Sequence, residues 1–150
     1  MDLAHQAFSL GNLIALCAWL ALAAALFLPP VRKPVFLTAG LIIPLAFAVT
    51  YVALFLTGSP PKGGGFGSIE QVRTLFSADG ALAAGWLHYL AFDLFVGAWI
   101  ARDGLERGFW RILILLCLGL TLMFGPAGLL LYVLLRLAFL RRDRAQTVAA

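Results

Sequence analysis

Residues 112–135, ILILLCLGLTLMFGPAGLLLYVLL, run for 24 positions between Arg111 and Arg136 without a charged side chain. As one helix, this stretch would measure about 36 Å, enough to cross a hydrocarbon core of about 30 Å with some tilt. Its middle, Phe124-Gly125-Pro126-Ala127-Gly128, interrupts it. Pro126 supplies no N–H and leaves the Leu122 carbonyl without its helical donor, so the helix must kink or turn back. Turning back would leave two halves of about 14 residues, each too short to span. One kinked span is therefore the expectation, and it makes the number of crossings even.

Working outward, residues 7–28, 35–56 and 81–100 are three more apolar runs of spanning length. The chain is 63% hydrophobic and only 12% charged, with a mean hydropathy of +0.98. Soluble domains carry about 25% charged residues. The reading is an all-α integral membrane protein: one domain over residues 1–150, a multi-pass four-helix bundle in a lipid bilayer. Pro29 and Pro30 end the first run, and the basic turn Arg32-Lys33-Pro34 leads straight into the second. Pro44 falls inside that second run, where it deprives the Gly40 carbonyl of a donor and predicts a second kink.

The one long connection covers residues 57–80. Ser59-Pro60-Pro61-Lys62-Gly63-Gly64-Gly65 reads as loop. Residues 69–76 follow with Ile69, Val72 and Phe76 at helical spacing, which predicts a short amphipathic helix on the membrane surface. Residues 1–9 contain no Lys or Arg, so the first apolar run is expected to be retained rather than cleaved as a secretory signal. Four spans put Arg32, Lys33, Arg102, Arg107 and Arg111 on one side. Lys62, Arg73, Arg136, Arg141, Arg142 and Arg144 fall on the other. Five against six gives no orientation under the positive-inside rule, while reversal of the last segment would sharpen the bias. The net charge of +4 belongs to these flanks and does not form the broad basic surface that nucleic acid requires. Cys17 and Cys117, both inside apolar runs, suggest neither a disulfide framework nor a metal cluster.

Asp93 is the only charged residue inside any of the four runs. A carboxylate at bilayer depth costs about 2.5–3.5 kcal/mol on insertion scales, which marks it as a candidate functional group. A protonated Asp93 is suited to general-acid chemistry, with His88 as a paired base. It is equally suited to an interhelical hydrogen bond onto a carbonyl freed by Pro44 or Pro126. At 100° per residue, His88 and Asp93 point about 140° apart, so they meet only if one cavity wraps around a central helix. Trp86, Tyr89, Phe92 and Phe95, with Pro126, are candidates to bind a long apolar substrate. Asn12, Thr50, Tyr51, Thr121 and Tyr132 are further polar candidates. One His and one Asp do not make a metal site, and no phosphate loop or dinucleotide fingerprint is present.

Four segments carry a resemblance: Arg73-Thr74-Leu75-Phe76-Ser77, the stretch from Gly85 to Phe95 centred on Trp86-Leu87-His88 and Asp93-Leu94-Phe95, Asp103-Gly104, and Phe124-Gly125-Pro126-Ala127-Gly128. Together they resemble the abscisic-acid-deficient-four-like family of small membrane proteins, whose plant members are required for neoxanthin synthesis. The resemblance implies a carotenoid or similar isoprenoid ligand and an epoxide-to-allene isomerisation with no redox cofactor. Asp93 and His88 would be the acid and base. Gly125 stands where plant members tend to have Cys, and the Ala-, Leu- and Arg-rich composition suggests a bacterial plasma (inner) membrane. A non-enzymatic ligand-binding, proton-relay or structural partner protein is the alternative.

Overall fold

The structure, a computed structural model, describes residues 2–59 and 61–148, with side chains described up to residue 139. Pro60, part of the expected glycine- and proline-rich loop, lies outside the described residues, as do the side chains of Arg141, Arg142 and Arg144. The described elements are all helical. α1 covers Leu3–Phe27 and is followed by a 3-10 turn at Pro29–Val31. Next come α2 (Arg32–Leu37), a π-helical turn (Thr38–Ile42) and α3 (Ile43–Thr57), which run on as one rod. α4 (Ile69–Leu75) lies in the long connection. α5 (Asp79–Glu106), α6 (Arg111–Phe124) and α7 (Pro126–Val148) complete the chain.

Three helical stretches are long and apolar enough to cross a membrane: Leu3–Phe27, Pro29–Thr57 and Asp79–Glu106. This fits an integral membrane protein. α5 is the centre of the assembly, packing against α1, the π turn, α3, α6 and α7. Small residues permit the close approach. Gly97 of α5 lies directly under the Trp19 ring of α1, and Ala83, Ala84, Ala91, Ala98 and Ala101 are buried along the same helix. Packing of this kind is the main source of helix association in lipid, where apolar burial between helices gains little.

The two early proline sites are handled differently. Pro29 and Pro30 cannot donate to the Ala25 and Leu26 carbonyls four residues back. The Arg32 side chain does so instead, from Nε to the Ala25 oxygen at 3.1 Å and from Nη2 to the Leu26 oxygen at 3.0 Å. At Pro44 the helix itself changes: the turn just before it widens, and the Ile43 N–H reaches back to the Thr38 carbonyl. A π turn is a recognised way to accommodate a disruption of this kind. It also brings Gly40 against α5, where a β-carbon would fall 2.9 Å from the Ala98 methyl.

The last apolar run corrects the expectation of one kinked span. The chain reverses at Gly125, and α7 returns alongside α6. Gly128 is pressed onto Thr121 and the Cys117 carbonyl, contacts that a continuous helix would place far apart. Phe139 meets Phe109 with ring centroids 4.4 Å apart, so α7 at residue 139 lies level with the start of α6. Gly125 makes the reversal with φ +46°, in a region where a side chain costs about 1–2 kcal/mol. The length rule failed because neither half has to span. A re-entrant hairpin is tolerated at membrane depth when protein covers its turn, and here α5 does so. The architecture is thus three long helices with a helical hairpin packed on the central one.

α4 also differs in detail from its expected form. Ser68 caps it, accepting from the Gln71 N–H at 3.3 Å, and the Gln71 side chain accepts from the Gly67 N–H at 3.0 Å. Leu75, rather than Ile69, is its buried residue.

The hairpin moves Arg136 to the end that holds Arg32, Lys33, Arg102, Arg107 and Arg111, and leaves Lys62 and Arg73 at the other. In a background with Cys17 and Cys117 replaced by Ala, single cysteines at 106 and 138 should react with an impermeant thiol reagent from the same face. A cysteine at 62 should react from the opposite face. Residues 62 and 138 reacting from one face would restore the single kinked span.

Candidate functional site

Asp93 sits on α5 where the tip of the hairpin meets it. A β-carbon on Gly125 would lie 3.0 Å from Asp93 Oδ1 and 3.3 Å from Oδ2, so the carboxyl rests directly on the Gly125 backbone. Asp93 Oδ2 is buried and has no hydrogen-bond partner among the described residues. One turn earlier, the Tyr89 hydroxyl lies beside the same carboxyl and donates to the Leu122 carbonyl at 3.2 Å. That is the carbonyl Pro126 deprives of a donor, so the interhelical bond considered for Asp93 is made by Tyr89. Asp93 is thereby left without a structural hydrogen bond through Oδ2.

Tyr89 is fixed from behind. The Trp86 ring stacks on it with centroids 5.2 Å apart, and Trp86 Nε1 donates to Asn12 Oδ1 at 2.9 Å. Asn12 in turn donates to the Phe8 carbonyl at 2.9 Å. A chain of hydrogen bonds and one ring stack therefore runs from α1 through Trp86 to the Tyr89–Asp93 pair and the hairpin tip.

His88 lies elsewhere. It is exposed, its ring tilted against Phe92 at 4.5 Å and against Tyr51 of α3 at 5.9 Å. α5 is central, as convergence requires, but its two faces meet different neighbours, and the structure does not bring His88 and Asp93 together. The proposed binding aromatics divide in the same way. Trp86, Tyr89 and Pro126 lie on the Asp93 side. Phe92 accompanies His88, and Phe95 lines a groove on the face toward α2.

A second polar cluster was not singled out from the sequence. Asp103 Oδ2 accepts from the Tyr132 hydroxyl and from Arg107 Nε at 2.8 Å, with Arg136 Nε 3.4 Å away. Arg136 also lies over the Trp99 ring, 5.8 Å from its centroid. The cluster fastens the returning α7 to α5 and closes the hairpin that covers Asp93. The Asp103–Arg107 pair, at i and i+4, was a readable signal. Tyr132 and Arg136 join it only because the chain reverses. Among the described residues, no group of three or more His, Cys, Asp or Glu is placed to hold a metal ion.

A family model, described as ABA DEFICIENT 4-like, matches residues 6–132. The chain belongs to that family. The match extends from the first turns of α1 through the hairpin turn to Tyr132, so the Asp93 site and the Tyr132 contact both lie inside it. No curated protein and no solved structure matches the chain.

Gly125→Ala should lower stability in detergent by at least about 1–2 kcal/mol, because it forces a side chain into positive φ and against Asp93. Gly119→Ala, on the open face of α6 with nothing within 4 Å, should be neutral or stabilise by up to about 1 kcal/mol. Equal effects of the two in thermal or SDS unfolding would contradict the turn.

Proposed function

We propose that this protein is a membrane isomerase, or an accessory factor to one, acting on a carotenoid or similar isoprenoid epoxide, with Asp93 as its acid. The observation that carries the reading is the Asp93 carboxyl at the hairpin tip, with a buried oxygen that makes no structural hydrogen bond. Membership in a family resembling the neoxanthin-synthase-like proteins supports the substrate class.

The chemistry balances with one carboxyl. Protonated Asp93 gives its proton to the epoxide oxygen as a C–O bond opens. The carboxylate left behind takes a proton from the adjacent carbon, and that C–H electron pair completes the allene. The product is an isomeric alcohol, and Asp93 regains its starting state without an oxidant or reductant. Tyr89 is a positioning residue, holding the hairpin carbonyl and the carboxyl in register. His88, on the opposite face, contacts the apolar surroundings and takes no proton in this scheme. The basic end faces the cytoplasm of a plasma membrane under the positive-inside rule.

A second reading, a proton-relay or ligand-binding protein without turnover, draws on the same unpartnered oxygen. Asp93→Asn separates the two. It preserves size while removing the transferable proton, so thermal stability should hold. Conversion of a carotenoid epoxide in a producing host should fall by about 10² to 10⁴. Full conversion by Asp93→Asn would reject the catalytic reading. His88→Gln should combine additively with Asp93→Asn, and Tyr89→Phe non-additively, because only Tyr89 shares the site.

A further inference from the structure

A sizeable groove opens away from Asp93. It lies between α2, with its π turn, and the second half of α5, and encloses about 830 Å³. Its mouth carries Arg32, Lys33 and Arg102, and its walls are mainly apolar, including Phe36, Phe95 and Trp99. The volume is within the range of sites that bury a small amphiphile. The mouth also holds one carboxylate, Glu106, but Arg102 Nε already pairs with it at 3.0 Å. Arg32 Nε and Nη2 are committed to the end of α1, which holds the guanidinium in place without cancelling its charge. Lys33 is exposed and makes no ion pair among the described residues. The mouth therefore keeps an uncompensated positive charge at the basic end of the bundle, with an apolar, aromatic-walled channel below it.

We propose that this groove holds one anionic phospholipid, its phosphate at Lys33 and Arg32 and one acyl chain against Phe36, Phe95 and Trp99. Basic pockets between membrane helices at a cytoplasmic face bind anionic headgroups on these terms. A free phosphate would satisfy the mouth but leave the channel unfilled. A neutral long-chain molecule would fill the channel but gain nothing from the cations.

The test is native mass spectrometry of the full chain from mixed micelles holding equal palmitoyl-oleoyl phosphatidylglycerol and phosphatidylcholine. One retained phosphatidylglycerol, in preference to phosphatidylcholine, is expected. Lys33→Gln should lower that preference about fivefold, the effect of one surface cation on an anionic lipid, and Lys62→Gln, at the other end, should leave it unchanged. Leu37→Trp, which narrows the channel from its exposed rim, should reduce retention of both lipids. No preference in the wild-type chain, or an equal loss in Lys33→Gln and Lys62→Gln, would overturn the site. Displacement of the lipid by millimolar inorganic phosphate would assign the mouth to a free anion and overturn it as well.

Discussion

A carbonyl without a donor is expensive where water is scarce, and this chain creates several by placing prolines in or beside its apolar helices. Each unsatisfied group in hydrocarbon costs several kcal/mol, while an interhelical hydrogen bond in membrane proteins averages about 0.6 kcal/mol. The penalty avoided exceeds the bond gained, so the prolines determine which side chains must be present. Arg32 answers Pro29 and Pro30 from within its own segment. At Pro44 the backbone rewinds into a π turn just before the ring. Pro126 is met by Tyr89 from a different helix, and the candidate site depends on that third solution.

Because Tyr89 takes the Leu122 carbonyl, the hairpin tip is held against α5 by a neutral group. The carboxyl one turn further on is spared a structural role through Oδ2. Two restraints oppose each other across α5. The Trp86–Asn12 bond ties its early turns to α1, and the Asp103 cluster ties its late turns to α7. Between them Asp93 rests on the backbone of Gly125. Any residue with a β-carbon at position 125 would crowd the carboxyl while also straining the turn, so fold and site place the same demand on that position.

The hairpin also separates two environments along α5. The Asp93 face looks toward α6 and the turn, and is polar by the standards of a membrane interior. The face with His88, Phe92 and Phe95 looks toward α3, the π turn and the surroundings, and leads to the basic groove. A helix carrying one stripe toward the hairpin and another toward lipid can position a reactive group and an amphiphile independently.

Most of the fold was legible in the sequence because membrane helices announce themselves by length and apolarity. The first three long helices cover the expected apolar runs 7–28, 35–56 and 81–100 to within one residue. The disturbances at Pro44 and Pro126 were placed correctly, since a missing N–H is a local property. Asp93 stood out for a similarly local reason, as the one charge in an apolar run. What the sequence did not determine was direction. A Gly-Pro pair in an uncharged run permits a kink or a reversal, and chain length alone favoured the kink. The reversal depends on contacts made at a distance: Gly128 on Thr121, Tyr132 on Asp103, and the Gly125 turn on Asp93. Tyr89, rather than His88, stands beside the carboxyl because of its i, i+4 spacing on α5, and the distant contacts decided only that the hairpin tip meets that face. Local chemistry was enough to locate the critical positions, and only the packing of helices remote in sequence decided which of them meet.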